Sequence, residues 1–323
     1  MSDIPLLEVR DLVLEMGQGS ENVRLLDGVS FTLRKGETLG LVGESGSGKS
    51  LTASSLARLT PSPPARYSGQ ILVNGRDVFS MASRELRRLR GGVISYVFQE
   101  PASVLNPVLR VGTQIIESLR LHRPEAAGPA EVHRWLKRVG IPSPEKRARQ
   151  YPHELSGGMQ QRAVIAMALA SQPDLLIADE PTTALDVTIQ AQILDLLRDL
   201  QQQFGMGILL ITHNLGIISE MAGRVLVMYA GQIVESGAVE DVLGNPLHPY
   251  TRALLASVPS LQGNRDRLLT IPGQVPSPRE FPSGCRFHPR CDQARPDCSE
   301  CMPILEEISG SHLARCPYSK VPA

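Results

Sequence analysis

The sequence contains no long apolar run and no excess of charge of one sign. Its longest apolar stretches, residues 175–178 and 208–212, have the length of buried strands and fall short of the roughly 18–20 residues that span a bilayer. Lysine plus arginine equals aspartate plus glutamate, 33 of each, so the charge balance gives no reason to expect nucleic acid as a partner. The first residues are neither basic nor apolar, so we expect no secretory signal and a cytosolic protein that meets membranes through other proteins.

The first 284 residues also lack cysteine, and all five cysteines lie between Cys285 and Cys316. In a reducing compartment, such a cluster indicates a metal site rather than a disulfide framework. The gaps between successive cysteines are five, six, two and fourteen residues. Thiolates at this density bind iron–sulfur centres or zinc, and reduced, unligated thiols are the remaining alternative. His288 and His312 are possible zinc ligands, but we expect them to be surface residues.

Four regions can be distinguished along the chain. Residues 5–42 alternate apolar and polar positions with turn-forming residues between them, which predicts a β-hairpin. A glycine-rich loop and a helix from residue 50 to about 59 follow, and residues 84–170 are mostly helical by pattern. Residues 174–236 alternate strands with a helix, which predicts a mainly parallel sheet covered on both faces. Beyond about residue 245 the composition shifts to proline, cysteine and arginine, which predicts a separate, loop-rich tail.

The loop after a predicted strand at 39–42 reads Gly43-Glu44-Ser45-Gly46-Ser47-Gly48-Lys49-Ser50. It fits the pattern G-x-x-x-x-G-K-[ST] in the required place, after a strand and before a helix. We expect Lys49 to reach the β- and γ-phosphates of a nucleotide and the Ser50 hydroxyl to ligate Mg²⁺. The predicted nucleotide-binding residues are Ser45, Gly46, Ser47, Gly48, Lys49, Ser50 and Leu51. The alternative is a flexible turn with an incidental lysine, and the pattern alone does not separate ATPases from GTPases, helicases or kinases.

A second acidic site follows the apolar stretch 175–178, where Asp179 and Glu180 end a predicted buried strand. Asp179 is placed to hold Mg²⁺ through water, and Glu180 to polarise the attacking water. Two acids that merely end a strand are the alternative. Their position about 130 residues after a phosphate-binding loop favours the functional role.

The segment Leu155-Ser156-Gly157-Gly158-Met159-Gln160-Gln161-Arg162 opens a predicted helix about 20 residues before those acids. A serine and two glycines at a helix start can bind an anion, and an N-capped helix with a glycine lead-in is the structural alternative. At this point the sequence resembles the ABC ATPase family, whose signature has this form. The resemblance implies that Ser156, Gly157 and Gly158 contact the γ-phosphate of ATP held on an opposing subunit.

Further motifs of that family appear in the family's order. Gln99 matches the glutamine that ligates Mg²⁺ and water and senses the membrane subunits. Residues 184–186 match the D-loop, and His213 matches the switch histidine, although a lone histidine after a strand more often has only a structural role. The resemblance assigns catalysis to Glu180, His213 and Gln99, nucleotide binding also to Gln99 and Asp179, and Mg²⁺ to Ser50 and Gln99.

Two positions depart from the family's pattern. Met16 stands where an aromatic residue usually stacks on adenine. Methionine packs against a ring through its thioether, so weaker adenine selectivity is expected. Asn214 stands where aspartate commonly follows the switch histidine, which removes one charge. Because Glu180 and the signature are intact, we expect a competent ATPase.

The tail resembles the dipeptide/oligopeptide branch of ABC importers. The resemblance lies in His248-Pro249-Tyr250, in residues 271–276 and in the cysteine-rich end. It implies that Cys285, Cys291, Cys298 and Cys316 bind a [4Fe–4S] cluster, with zinc as the alternative and Cys301 as an extra thiol. Either metal would stabilise a tail that has too few apolar residues to fold alone.

The sequence therefore predicts an α/β P-loop NTPase core of the ABC ATPase kind, with an antiparallel β subdomain and a helical subdomain. We expect the ATPase domain at residues 5–245, its helical subdomain at about 90–170, and the cysteine-rich extension at 246–323. The implied function is ATP hydrolysis that powers the import of di- or oligopeptides, at the cytoplasmic face of a bacterial inner membrane. The implied partners are a second homologous ATPase subunit in a heterodimer, two transmembrane permeases and an extracytoplasmic binding protein, without nucleic acid.

Two alternatives stay open from the sequence. The same ATPase could serve transport of nickel chelates, opines, glutathione or antimicrobial peptides, because the subunit does not touch the cargo. A soluble ABC ATPase of DNA repair or translation is the alternative from another class. Those proteins have long coiled-coil insertions or two fused cores with basic surfaces, whereas this chain has one core and a neutral charge balance.

Overall fold

The structure is a computed structural model, and it describes residues 4–17, 22–60, 65–183, 185–257 and 270–319. The chain divides into two compact units. The first unit comprises residues 1–33, 38–79 and 210–323, and the second comprises residues 34–37 and 80–209. Among the described residues, no helix has both the length and the apolar character needed to cross a membrane.

The strands, in chain order, are β1 (Leu7–Met16), β2 (Val23–Leu33), β3 (Thr38–Val42), β4 (Ala65–Val73), β5 (Arg76–Asp77), β6 (Ile94–Val97), β7 (Leu175–Asp179), β8 (Gly207–Ile211), β9 (Arg224–Tyr229), β10 (Gln232–Ala238), β11 (Glu306–Ser309) and β12 (His312–Ala314). The α-helices are α1 (Lys49–Ser55), α2 (Ser83–Gly92), α3 (Pro101–Val104), α4 (Val111–His122), α5 (Pro129–Arg138), α6 (Pro144–Arg147), α7 (Gly157–Leu169), α8 (Val187–Phe204), α9 (Leu215–Met221), α10 (Val239–Gly244) and α11 (Pro249–Ala256).

The first unit contains an antiparallel sheet in the order β2-β1-β4-β5. Its central strand, β1, pairs with both β2 and β4, which confirms the hairpin predicted at the start of the chain. Leu7 and Val9 of β1 are buried, because alternate side chains of a strand point to the same face of the sheet. After a register irregularity between Val9 and Leu12, the buried positions continue at Leu12 and Leu14.

The same unit contains a second run of strands in the order β11-β12-β10-β9-β3. All five residues of β3 are buried, and β3 pairs in parallel with β9. Strand β12 pairs with β10 through Glu235 opposite Ala314 and Ser236 opposite Leu313. The tail predicted to be loop-rich therefore also contains two strands, which extend the sheet at β10.

A buried carboxylate also anchors the tail. Glu235 of β10 is fully buried and accepts hydrogen bonds from the backbone N–H groups of Leu247 (2.7 Å) and His248 (2.9 Å). Its Oε1 lies 2.7 Å from Nε2 of His312. His312 is therefore buried in the first unit, and its prediction as a surface residue is wrong.

The second unit combines the parallel pair β6 and β7 with most of the helices. Helices α4, α5 and α7 pack against one another, and Trp135 of α5 is fully buried. Residues 84–170 were predicted to be mostly helical. Strand β6 interrupts them because its apolar residues pair with the buried strand β7.

Helix α1 is shorter than predicted. It ends at Ser55 rather than near residue 59, and Arg58 adopts a left-handed backbone conformation with φ 52°. A residue in that conformation cannot continue a right-handed helix.

Candidate functional site

The phosphate-binding loop runs from β3 to α1 in the first unit. Gly43 has φ 153°, and a Cβ atom there would collide with the carbonyl oxygen of Met228 and lie 2.8 Å from the Ser47 hydroxyl. The ammonium group of Lys49 donates to the carbonyl oxygens of Gly43 (2.8 Å) and Glu44 (2.9 Å). The loop therefore curls around the lysine, and only glycine fits where it starts.

Side chains of this loop differ in exposure. Ser45, Gly46 and Ser50 are exposed, whereas Ser47 and Lys49 are buried. Gly48 precedes the helix with φ 109°, and Leu51 lies in its first turn. The predicted phosphate and Mg²⁺ ligands between residues 45 and 51 thus form one continuous loop and helix start, and their individual roles stay predictions.

The turn between β9 and β10 contacts the phosphate-binding loop. Ala230 (φ 45°) and Gly231 (φ 81°) form a two-residue hairpin turn with positive φ at both positions, as tight hairpins require. The N–H of Gly231 donates to the carbonyl oxygen of Ser47 (2.8 Å), and its own carbonyl accepts from the N–H of Asp27 (3.0 Å). A side chain at residue 231 would collide with the backbone of Leu25.

Two residues of the tail contact Glu44 in this loop. The backbone N–H of Glu44 donates to the Tyr250 hydroxyl oxygen at 2.8 Å. The Arg290 guanidinium binds both carboxylate oxygens of Glu44, at 2.8 and 3.0 Å. Burial lowers the pKa of Arg290, but its hydrogen bonds to Glu44 and Tyr229 outweigh burial and raise its pKa above the usual value.

Sequence reasoning missed both contacts. Tyr250 was noted only as part of the His-Pro-Tyr motif, and Arg290 was not singled out at all. Glu44 and Arg290 are 246 positions apart, so no local pattern could have indicated the pair.

Met16 lies at the end of β1, in an open cleft of about 390 Å³ in the first unit. The cleft is also lined by Val23 and Leu25 of β2 and by Ser277, Pro278 and Arg279 of the tail. The position matched to the adenine-stacking residue therefore faces a space that the tail helps to enclose.

Glu180 and Gln99 come together in the second unit. The side-chain amide of Gln99 donates to Oε2 of Glu180 at 3.1 Å, and the Thr183 hydroxyl donates to the same oxygen at 2.7 Å. Asp179 is the last residue of β7, and Glu180 follows it with φ 47°. A glutamate in the left-handed region stores strain of about 1–3 kcal/mol, which is typical of functional sites.

The predicted signature begins α7. Ser156 is the N-cap residue, and its hydroxyl oxygen accepts from the N–H of Met159 at 3.4 Å. Ser156 and Gly157 are exposed, and a Cβ placed on Gly157 would have open space around it as far as the described residues extend. Gln160 and Gln161 hold this helix start by donating to the carbonyl oxygens of Pro152 (3.0 Å) and Pro181 (2.6 Å). The start of α7 is thus exposed at Ser156 and Gly157 and is held in place by the hydrogen bonds of Gln160 and Gln161.

His213 lies in the first unit, in the exposed turn between β8 and α9. Next to it, Asn214 is the N-cap residue of α9, and its side-chain oxygen accepts from the N–H of Gly216 at 2.9 Å. Asparagine and aspartate cap helices about equally well, so the departure from the family pattern keeps the local structure. Within the D-loop match, Asp186 caps α8 by accepting from Ile189 at 2.9 Å, and Ala184 lies outside the described residues.

All five cysteines line one cavity of about 350 Å³ in the first unit. Cys301 is exposed, and the other four are half-buried. Burial raises the pKa of Cys285 and raises that of Cys291 to about 11. Within the described ranges, no three cysteine, histidine or acidic side chains are arranged so that they could hold one metal ion.

His248 lines the same cavity. Its Nδ1 accepts from the N–H of Tyr250 at 3.0 Å, and burial lowers its pKa to about 3. The neutral ring therefore carries its hydrogen on Nε2, which is buried and lies near the backbone of Arg315.

Comparison with known families gives two matches. The family described as "ABC transporter" matches residues 26–183, and the family described as "Oligopeptide/dipeptide transporter, C-terminal region" matches residues 234–298. A Brucella abortus protein named as a peptide import ATP-binding protein is 49% identical over 97% of this chain and 95% of its own. A Sinorhizobium fredii protein named as a peptide ABC transporter ATP-binding protein is 51% identical over 96% of this chain and 94% of its own.

Solved structures match the core of the chain. A dimeric ATP-binding cassette in a post-hydrolysis state, bound to ADP and Pi, matches with a TM-score of 0.64 and 26% identity, over 72% of this chain and 98% of that chain. A Clostridium perfringens protein that is part of an ABC transporter complex matches with a TM-score of 0.63 and 28% identity, over 74% of this chain and 91% of that chain.

Proposed function

This chain belongs to the ABC transporter ATPase family, and from that premise we propose that the ATP it hydrolyses powers the import of di- or oligopeptides. The observation that carries the proposal is the identity of about half of all residues, over nearly the whole chain, with relatives named for peptide transport. That identity includes the tail, where the oligopeptide/dipeptide transporter region matches. We propose the cytoplasmic face of the bacterial inner membrane as its location, bound to permease subunits.

The residues predicted for the ATP site have the following roles in ATP hydrolysis. The loop around Lys49 binds the phosphates through the lysine ammonium and backbone N–H groups. Glu180 polarises the attacking water, and Gln99 and Thr183 orient its carboxylate by donating to Oε2. His213 is assigned to the γ-phosphate.

Mg²⁺ suits the oxygen groups assigned to it, because this hard cation prefers oxygen ligands. They are the Ser50 hydroxyl, the Gln99 side-chain oxygen and the Asp179 carboxylate, the last acting through water. Since Gln99 donates to Glu180 through its NH₂ group, its side-chain oxygen is the atom left for the ion. When bound, the ion neutralises negative charge on the phosphates.

A second ATPase subunit completes the proposed assembly. Ser156 and Gly157 are exposed at the start of α7, where a helix start with free N–H groups can bind an anion. We assign this surface to the γ-phosphate held by the partner, and a similar cassette of known structure is dimeric. The partner is a related but non-identical subunit, and two permeases and an extracytoplasmic binding protein complete the importer.

The cysteine cavity is proposed to hold a [4Fe–4S] cluster through Cys285, Cys291, Cys298 and Cys316. The four thiolates of such a cluster bind different irons, so they need not converge on one point as the ligands of one zinc ion do. The four cysteines line one cavity without a single-ion arrangement among the described residues. Bound iron would cross-link the tail.

Anaerobic purification tests the cluster separately from the ATPase. We expect about four irons and four acid-labile sulfides per chain, with Cys291→Ser losing iron and Cys301→Ser retaining it. A colourless preparation with one zinc per chain would reject the iron–sulfur assignment and favour zinc.

Uptake of labelled peptides by a strain that lacks this subunit tests the function. We expect peptide uptake to be lost and to return with the wild-type gene but not with Glu180→Gln. Normal uptake of every peptide tested, with loss of nickel, glutathione or opine uptake instead, would reject peptides as the cargo.

A further inference from the structure

Glu44 of the phosphate-binding loop is bound through every polar group it has. Its N–H donates to the Tyr250 hydroxyl, and its carboxylate forms the two-pronged pair with Arg290. Its carbonyl oxygen accepts from Lys49 (2.9 Å) and from the N–H of Ser47 (3.2 Å). Glu44 therefore links Lys49, the predicted phosphate-binding lysine, to the tail.

The two tail residues that contact Glu44 have rigid surroundings. Tyr250 is fully buried, and its ring packs against Tyr229 and Phe287 with centroid distances of 4.7 and 5.3 Å. Arg290 also donates to the carbonyl oxygen of Pro272 at 2.7 Å. The side chain of Arg290 is 6% exposed and that of Glu44 is 27% exposed, so salt screens this ion pair less than a pair on the open surface.

A glycine-rich loop has much conformational entropy to lose when it closes on phosphates. Contacts that hold the loop in its binding shape before the ligand arrives reduce that loss and raise affinity. The contacts at Glu44 are of this kind, since they fix the residue next to Gly43 and leave the exposed Ser45, Gly46 and Ser50 to face a ligand.

We propose that Arg290 and Tyr250 are positioning residues for ATP binding: the tail holds Glu44, and through it the phosphate-binding loop, in the shape that receives the phosphates. The tail is then part of the nucleotide site and not only an appendage. This role rests on the ATPase activity alone and does not depend on the cargo or on a metal.

Titration of the full-length protein with MgATP tests the proposal. Arg290→Met is expected to weaken ATP binding roughly tenfold, as loss of a charge-assisted pair implies. In the assembled transporter, the KM for ATP should rise by a similar factor while kcat at saturating ATP stays unchanged. Arg290→Lys keeps the charge but not the two-pronged geometry, so it should restore part of the affinity.

Arg315→Met is the matched control. Arg315 is another arginine of the tail, and it donates to the carbonyl oxygens of Ile233 (2.9 Å) and Pro303 (3.0 Å), neither of which belongs to the loop. It should lower stability without changing affinity for ATP. Equal weakening by Arg315→Met and Arg290→Met, or unchanged binding in Arg290→Met, would overturn the proposal.

A double-mutant cycle with Glu44→Gln separates a direct interaction from two independent effects. The double variant should bind ATP no more weakly than Arg290→Met alone, and additive losses would contradict the pairing. If Arg290→Met does not fold, Tyr250→Phe replaces it, because it removes only the hydroxyl that accepts from Glu44. It should weaken binding roughly fivefold, and unchanged binding would reject the proposal.

Discussion

Two glutamates, Glu44 in the first unit and Glu180 in the second, are held in contrasting ways. Glu44 pairs with the guanidinium of Arg290, a residue 246 positions away. Glu180 accepts at its Oε2 from the Gln99 amide and from the Thr183 hydroxyl, and Thr183 lies three positions away. Glu180 also has the strained backbone, with φ 47°.

The difference indicates what each carboxylate is for. A carboxylate bound at both oxygens by arginine has its charge neutralised and its position fixed. The donors of Gln99 and Thr183 meet at one oxygen of Glu180 and orient its carboxylate, as a group that polarises water requires. The contrast supports positioning as the role proposed for Glu44 and chemistry as the role proposed for Glu180.

The largest effect is expected from Glu180→Gln. Because the amide cannot act as a base, kcat should fall roughly 10²–10⁴-fold while ATP binding persists. Steady-state turnover measures kcat, and MgATP titration measures ATP binding. The same substitution at Glu44 should leave kcat unchanged. Equal loss of turnover in the two variants would contradict the different roles proposed for the two glutamates.

Lys49→Ala should weaken ATP binding roughly a hundredfold, as removal of one partner from a buried charged contact implies. The lysine contacts Glu44 from inside the loop, so this substitution removes both a phosphate ligand and a support of the loop. Equilibrium titration measures the change, and unaltered affinity would contradict the assignment of the loop to phosphate.

Thr183→Ala tests how much the orientation of the Glu180 carboxylate contributes to kcat. Loss of the 2.7 Å hydrogen bond should let the carboxylate turn away and reduce kcat roughly tenfold, with the KM for ATP unchanged. Thr183→Ser retains the hydroxyl and should behave like the wild type. A rise in KM without loss of kcat would indicate a binding role instead.

The smallest effects are expected at Asn214, whose side-chain oxygen caps α9 by accepting from the N–H of Gly216. Asn214→Ala should lower the free energy of unfolding by about 1 kcal/mol, whereas Asn214→Asp should leave it nearly unchanged. Chemical denaturation measures both. A stability loss in Asn214→Asp as large as in Asn214→Ala would show that more than the cap is involved.

The sequence indicated those parts of the molecule whose cause is local. The strand and loop before Lys49 follow from a run of apolar residues and glycines, and β7 ends at the two predicted acids. Helix α1 was predicted too long because a left-handed residue at Arg58 leaves no mark in the pattern of apolar residues.

The tail was less predictable because its contacts join residues far apart in the sequence. Its composition indicated a loop-rich appendage, yet β12 pairs with β10, and His312 is buried against Glu235. A charged residue such as Arg290 is normally exposed, and only the folded chain shows that it lies against Glu44.

Uptake of a labelled oligopeptide into vesicles that contain the complete transporter and internal MgATP, measured together with phosphate release, tests whether ATP hydrolysis by this chain drives peptide import. We expect wild-type vesicles to accumulate peptide and release phosphate, and Glu180→Gln vesicles to do neither although they bind ATP. Peptide accumulation that persists in Glu180→Gln vesicles would rule this coupling out.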